Sequence, residues 1–188
     1  MIWLILGVAL WSVVHFIPSL GLALKKKIIS RFGDKAYKIA FALSIVASVL
    51  LIVLGWRSTT PEMLYHLPDW SRPLTIFLML VAFLLMGASG RKTVIGRVIR
   101  HPQLSGMVVW AIAHLISNGD TRSLVLFGGL GLWALIEIPL INAREGEWVK
   151  PEKPPIGAEV KGIVISFVVF VVVMFLHPYF TGAPVIPH

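Results

Sequence analysis

The hydrophobic positions of this chain form long runs, separated by short polar stretches that are rich in Lys, Arg, Gly and Pro. A helix that crosses a membrane needs roughly 20 mostly apolar residues, and six segments reach or approach that length. None of the six contains Lys or Arg. They are Met1–Leu24, Ile39–Trp56, Pro73–Gly90, Pro102–Gly119, Ser123–Ala143 and Gly162–His188. The pattern predicts an all-α fold, a polytopic transmembrane bundle of about six helices.

The fourth segment is the least hydrophobic, so a bundle of five spans with one short buried helix is the alternative. The first segment lacks a basic leader and a cleavage site, and we expect a retained helix rather than a signal peptide. The loops are too short to fold alone. Residues 1–188 are therefore expected to form a single transmembrane domain.

Composition supports a membrane protein and excludes several other classes. Only 14% of the residues are charged and 57% are hydrophobic, whereas a soluble domain carries about a quarter charged residues. The chain has no cysteine, which excludes disulfides, iron–sulfur clusters and thiolate-bound metal. The net charge of +8 does not indicate a nucleic-acid partner, because the charges lie between apolar runs. The expected partner is the lipid bilayer.

Lys and Arg are distributed unequally among the five predicted loops. The first, third and fifth loops hold six, four and four of them, and the second and fourth hold only two and one. Cytoplasmic loops carry the excess of Lys and Arg. The odd loops are therefore predicted to be cytoplasmic, both termini non-cytoplasmic, and the location the cell inner membrane.

Local signals mark the ends of several helices. Asn118-Gly119-Asp120 is typical of a tight turn, and Asp120 or Thr121 is expected to cap the next helix. Pro102 suits the first turn of a helix. The fifth loop contains three prolines and is predicted to be a non-helical linker.

Ionisable side chains at membrane depth are costly and therefore mark candidate sites. His15 is expected about 20 Å from the outer end of the first span, and His114 about 16 Å from the inner end of the fourth. Each follows a Trp by one turn, Trp11 and Trp110. Two imidazoles that face each other across the bundle could bind haem iron from both sides. The alternative, that each histidine only hydrogen-bonds a neighbouring helix, is about equally supported.

Three further polar side chains, Glu137, His101 and His177, lie in or near the predicted spans. Glu137, near the predicted cytoplasmic end of the fifth span, is expected either to pair with a loop base or to bind a proton. His101 is expected to cap the entry of the fourth span. His177 is expected to lie at the outer interface.

Three stretches carry a resemblance to a known family: RHPQLSG at Arg100–Gly106, WAIAHL at Trp110–Leu115 and NGD at Asn118–Asp120. With His15 in an apolar helix and the basic loop after it, the whole chain resembles the NnrU family, which includes 15-cis-zeta-carotene isomerases. The resemblance implies haem b bound by His15 and His114, with His101 as the histidine of the family's HPQ motif. The isomerase branch carries a cysteine where this chain has Ala111, which puts isomerase activity in doubt.

The leading hypothesis is therefore a membrane haem b protein. It is either a redox-dependent isomerase of an apolar, carotenoid-like molecule or a redox partner in nitrogen-oxide respiration. Its candidate metal ligands are His15 and His114, and Trp11, Trp110 and His101 complete the candidate cofactor site. The alternatives are a small proton-linked transporter that uses Glu137 and the two histidines, and an assembly factor for a respiratory enzyme.

Overall fold

The computed structural model of the protein describes residues 1–68, 70–182 and 185, and its regular structure is helical. The α-helices in that part of the chain are α1 (Ile2–Leu20), α2 (Leu22–Phe32), α3 (Asp34–Ser58), α4 (Ser71–Ala88), α5 (Val94–Val98), α6 (Pro102–Leu115), α7 (Thr121–Ser123), α8 (Gly129–Glu145) and α9 (Ile156–Thr181). A π-helical segment, Leu124–Gly128, joins α7 to α8. Among these residues, β pairing is limited to one isolated bridge between Met63 and Asp120. The predicted all-α class is confirmed.

Several helices have the length and apolar composition that a membrane span requires. Five helical stretches meet both conditions. They are Ile2–Leu20, Leu22–Ser58, Ser71–Ala88, Thr121–Glu145 and Ile156–Tyr179. Large apolar side chains such as Leu43 and Phe175 are exposed, at 64% and 68%. An outer surface of this kind suits lipid, and the chain is a polytopic helical membrane protein.

The fourth predicted segment forms a helix that is shorter than expected. Helix α6 ends at Leu115 after 14 residues, and a turn replaces the predicted last four. Asn118 donates through its side chain to the carbonyl oxygen of His114 at 2.9 Å, which satisfies an acceptor at this helix end. At 1.5 Å per residue, α6 rises about 21 Å.

The basic stretch after α1 is helical rather than a loop. Helix α1 ends at Leu20, and α2 and α3 together continue to Ser58 with one interruption at Gly33. Lys, Leu and Arg are good helix formers, so charge alone does not end a helix. Gly33 has a φ of +85°, a backbone conformation that favours glycine. The predicted linker after α8 is confirmed as non-helical from 146 to 155.

One end of the bundle, the amino-terminal end, brings together Met1, the chain after α3 and the turn after α6. The amino group of Met1 donates to Thr59 Oγ1. Arg122 Nη1 donates to the carbonyl oxygen of Trp56 at 3.1 Å. The amide of Leu64 donates to the carbonyl oxygen of Gly119 at 2.7 Å.

The opposite end, here called the basic end, holds the three stretches richest in Lys and Arg, 20–38, 89–101 and 144–161. Arg100 Nη1 donates to the carbonyl oxygen of Gly146 at 2.8 Å, and Lys92 pairs with Glu152 at 2.6 Å. The 89–101 and 144–161 stretches are therefore in contact.

Helix α6 runs beside α4 from the basic end to the amino-terminal end. At the basic end, Ser89 Oγ donates to Gln103 Oε1 at 3.2 Å. At the other end, Thr75 Oγ1 donates to the carbonyl oxygen of Ala113 at 3.1 Å. The short helix thus covers most of the length of α4, with its residues in antiparallel order.

Glycines allow α1 and α3 to pack closely. A Cβ atom at Gly55 would lie 2.2 Å from the backbone nitrogen of Leu4, and one at Gly7 would lie 2.7 Å from that of Ile52. Small residues at helix contacts permit such backbone approach in membranes. The position of α1, and hence of His15, depends on this contact.

Gly55→Ala should push α1 away from α3 and lower the free energy of unfolding by about 1–3 kcal/mol, the usual cost of overpacking. Thermal unfolding of the purified protein in detergent measures the effect. The matched control is Gly157→Ala in α9, where an added Cβ meets nothing within 4 Å. Equal stability of the two variants would contradict the close contact.

Candidate functional site

His114 is held by its own helix and by an aromatic ring from the next one. Its Nδ1 lies 2.9 Å from the carbonyl oxygen of Trp110, one turn earlier in α6. Its ring stacks on Phe127, with ring centres 4.2 Å apart and an angle of 19° between the planes. Because Nδ1–H donates to the carbonyl, Nε2 keeps the lone pair that a metal would bind.

The imidazole that the structure brings to His114 belongs to His177 on α9. The two ring centres are 6.4 Å apart, and the planes differ by 30°. Thr181 Oγ1 lies 3.2 Å from His177 Nδ1 and donates its own hydrogen to the carbonyl oxygen of His177 at 3.0 Å. Thr181 therefore helps to hold the imidazole of His177 in place.

His114 and His177 line the same cavity, which lies between α4, α6 and α9. Its volume is about 240 Å³, and it is partly open to the outside of the bundle. Most of the wall is apolar, formed by Ile76, Met79, Phe83, Phe170, Val173 and Met174. The polar part of the wall consists of the histidines with Arg72, Thr75, Ser117 and Asn118. This is an apolar pocket with a few polar groups, the usual character of a small-molecule site.

His15 occupies a different, aromatic environment. Its ring stacks on Trp11 with centres 4.4 Å apart, and it also contacts Trp133 at 4.8 Å and Phe41 at 5.5 Å. Its Nδ1 lies 2.8 Å from the carbonyl oxygen of Trp11. The W-x-x-x-H spacing thus has the same local effect in both places: the backbone carbonyl of the tryptophan orients the histidine.

The structure does not bring His15 and His114 together. Helix α8 and the π-helical segment before it pack against both α1 and α6. Within this stretch Trp133 contacts His15 and Phe127 contacts His114, so each imidazole lies against a different aromatic ring. The two histidines that the sequence pairs therefore belong to separate clusters.

Glu137 adds a buried carboxylate to the cluster around His15. It is 4% exposed, and its Oε1 accepts a hydrogen bond from Ser19 at 2.6 Å. Arg144 Nη1 donates to the same hydroxyl oxygen at 3.2 Å. Within the part of the chain that the structure describes, Glu137 Oε2 and the indole nitrogens of Trp11 and Trp133 are buried without a hydrogen-bond partner.

His101 does not cap α6 as expected. It occupies the N-cap position, but its side chain makes no capping hydrogen bond. Its Nε2 instead lies 2.9 Å from Asn142 Oδ1 on α8. The capping prediction is wrong for His101, because a partner on another helix competes for the ring. It is confirmed for Asp120, which accepts from the amides of Arg122 and Ser123.

His177 is the residue that sequence reasoning underrated. It lies 15 residues after the predicted start of its span, and His114 lies 12 residues after the start of its own. Both spans begin at the predicted cytoplasmic side. If the rise along the helix had been counted from the start of the sixth span, as it was for the fourth, both imidazoles would have been predicted at a similar depth in the membrane.

Fold and site together define a polytopic α-helical membrane protein with a histidine-lined cavity between its helices. The NnrU family model, described as NnrU protein, matches residues 3–185. The chain belongs to the NnrU family. Neither a curated protein nor a solved structure matches it.

Ser19→Ala should destabilise the protein by about 1–3 kcal/mol, because it removes the donor to a buried carboxylate. Unfolding in detergent measures the loss. Ser12→Ala on the same helix is the control, since the Ser12 hydroxyl donates only to the carbonyl oxygen of Val8. If both variants lose the same stability, the Ser19–Glu137 bond has no special importance.

Proposed function

We propose that this chain is an integral membrane haem b protein whose iron is bound by His114 in the cavity between α4, α6 and α9. The observation that carries the proposal is the separation of the His114 and His177 rings, 6.4 Å between centres. Two imidazoles that bind one metal through nitrogen at about 2.1 Å each have ring centres roughly 6 Å apart.

The donor set favours haem over a bare metal ion. Within the described residues, no group of three or more His, Cys, Asp or Glu side chains could hold a metal. A zinc ion needs three or four protein ligands, whereas haem iron, already held by its porphyrin, needs one or two axial ligands. Two imidazoles in an apolar pocket therefore suit haem.

The volume of the cavity can be compared with the volumes of known ligand pockets. Ligand pockets measure about 300–1,000 Å³, and this cavity measures about 240 Å³. The cavity is smaller than that range but partly open to the outside of the bundle, so a bound macrocycle would extend beyond it. Arg72 is the cation in its wall and the natural partner for a propionate.

The second residue that would hold the iron distinguishes two versions of the proposal. The sequence predicts His15, and the geometry favours His177, because among the described histidines His177 shares the cavity with His114. His15 remains a prediction from the sequence. The two versions differ in which substitutions abolish haem binding.

Bound haem would supply one-electron chemistry in this cavity. The chain offers no cysteine as a second kind of ligand, and Ala111 is 3% exposed and packed against Gly131 of α8. A fixed pair of imidazoles suits electron transfer better than ligand exchange. We therefore favour a redox partner, as in nitrogen-oxide respiration, over an isomerase of carotenoid-like substrates.

For the membrane arrangement we propose six crossings, with α6 as the short one, and both termini on the non-cytoplasmic side of the inner membrane. Contacts at the two ends of the bundle support it, since Met1 lies near the chain after α3 and the turn after α6. The three stretches of the basic end then form the cytoplasmic side, in agreement with the distribution of Lys and Arg.

Protein purified in detergent from haem-replete cells should show a Soret band and roughly one haem per chain, as expected for one pair of axial ligands. His114→Ala should lose the haem, and His177→Ala should lose it or convert it to a five-coordinate form. His15→Ala should retain the spectrum of the wild type. Optical spectra of oxidised and reduced protein, with a haem assay, measure these outcomes.

Other results separate the two versions or reject both. Loss of haem in His15→Ala, with normal haem in His177→Ala, would replace His177 by His15 as the second ligand. A colourless wild-type protein would reject haem binding altogether. Thermal unfolding of each variant is the control for folding.

A proton-linked transporter is the second candidate function, and the buried Glu137 favours it. One of its oxygens lacks a hydrogen-bond partner among the described residues, and Ser19 and Arg144 connect the other towards the basic end. Ionisable residues at membrane depth mark proton paths in transporters. Proton flux into proteoliposomes that disappears in Glu137→Gln would support transport, and absence of flux in the wild type would reject it.

A further inference from the structure

We propose that the basic end contains a binding site for a phosphate-bearing anion, in a cavity between the chain after α4, the start of α6 and the linker after α8. The volume of this cavity is about 450 Å³. Its polar wall is formed by Arg91, Lys92, Arg100, His101 and Gln103. The site is independent of haem, because His101 and His114 are 13 residues apart on α6, a distance of about 20 Å.

The charge of the wall favours an anion. Arg91, Lys92 and Arg100 are cations, and the described residues of the wall include no carboxylate. Glu152 and Glu145 contact Lys92 and Arg100 at 2.6 and 3.8 Å but are not themselves part of the wall. The Lys92–Glu152 pair is exposed, and an exposed ion pair is weak, so Lys92 can exchange this partner for an anionic ligand. Arg100 uses one N–H for the carbonyl oxygen of Gly146, and a guanidinium has four more.

The start of α6 contributes backbone donors to the same cavity. The first amides of a helix have no acceptor within it, and they carry the positive end of the helix dipole. In α6 these amides include Gln103 and Leu104, both in the wall, and the side chain of the N-cap residue makes no hydrogen bond to them. His101, at the N-cap position, bonds to Asn142 instead. The place of a capping group is therefore open to an anionic ligand.

Gln103 adds side-chain donors. Its Oε1 accepts from Ser89 Oγ at 3.2 Å, which leaves the amide N–H groups for another acceptor. Arginine, lysine, amide and backbone N–H donors at one place are the groups that bind phosphate oxygens.

The apolar part of the wall indicates that the anion belongs to an amphiphile. Leu104, Ile141 and Trp148 line the cavity beside the cations. Tryptophan is enriched at the level of lipid headgroups, and basic pockets between membrane helices bind anionic headgroups. A phosphate can come from an anionic phospholipid or from solution, and the experiment distinguishes these sources.

The test uses the full-length protein in a neutral detergent and measures affinity for three probes. These are short-chain phosphatidic acid, short-chain phosphatidylcholine and inorganic phosphate. Phosphatidic acid should bind at least about tenfold more tightly than phosphatidylcholine, and affinity should fall as salt rises. Binding of inorganic phosphate as well would identify the phosphate group alone as sufficient.

Gln103→Glu is the decisive variant. It keeps an acceptor for Ser89 and puts a negative charge in the first helical turn, where it favours the helix. The fold should therefore be retained, and the affinity for phosphatidic acid should fall about tenfold or more through repulsion. Gln103→Met, which removes the amide without adding charge, should lose less.

Lys92→Gln should weaken binding, and Lys26→Gln, an exposed lysine of α2 outside the cavity, should not. The proposal is overturned if neither phosphatidic acid nor phosphate binds, if phosphatidylcholine binds equally well, or if Gln103→Glu binds like the wild type. Thermal unfolding without ligand shows that each variant is folded.

Discussion

The hydrocarbon core of a membrane offers no acceptor to an N–H group, so a histidine among lipid-facing helices is stabilised by an acceptor within the protein. His114 finds it in the carbonyl oxygen of Trp110, 2.9 Å away and one turn earlier. This hydrogen bond selects the tautomer and leaves Nε2 as the acceptor. The proposed role in iron binding depends on that constraint. The same hydrogen bond forms at His15, so it favours the same tautomer there. The two sites differ in the residues that surround each ring.

Helix α8 and the π-helical segment before it keep the polar groups of the bundle apart. Phe127 and Trp133 face two different histidines, and Glu137 follows one turn after Trp133. One side of this stretch therefore contacts His114, which lines the histidine cavity, and the other contacts an aromatic cluster with a buried carboxylate. Redox chemistry suits the first, since two imidazoles line that cavity. Proton binding suits the second, since a buried carboxylate lacks a full set of partners.

The Lys and Arg residues of the basic end have two proposed roles, which are to orient the helices in the membrane and to bind an anion. In the proposed orientation, Lys and Arg on this side determine which way the helices cross, and three of these residues line the second cavity. In both roles these cations would be attracted to anionic lipid headgroups on the cytoplasmic side. Helix α6 connects this end to the histidine cavity, with its first residues in one cavity and His114 in the other.

The sequence alone determined the features that depend on neighbours along the chain. Apolar runs of sufficient length specify helices and a membrane environment, Asp120 caps the helix that follows it, and Pro102 begins α6. The motifs in α6 also identified the family, which the match over residues 3–185 confirms. These features follow from local hydrogen bonding and from the transfer of apolar residues into lipid, which need no knowledge of the fold.

Only the tertiary structure decided which polar groups meet. The pairing of His114 with His177, the separation of His15 by α8 and the contact of His101 with Asn142 all depend on how each helix is rotated about its axis. In a soluble protein an apolar stripe would reveal that rotation. In this chain the lipid-facing and the buried sides of a helix are both apolar, so the sequence pattern carries little information about which side faces which neighbour.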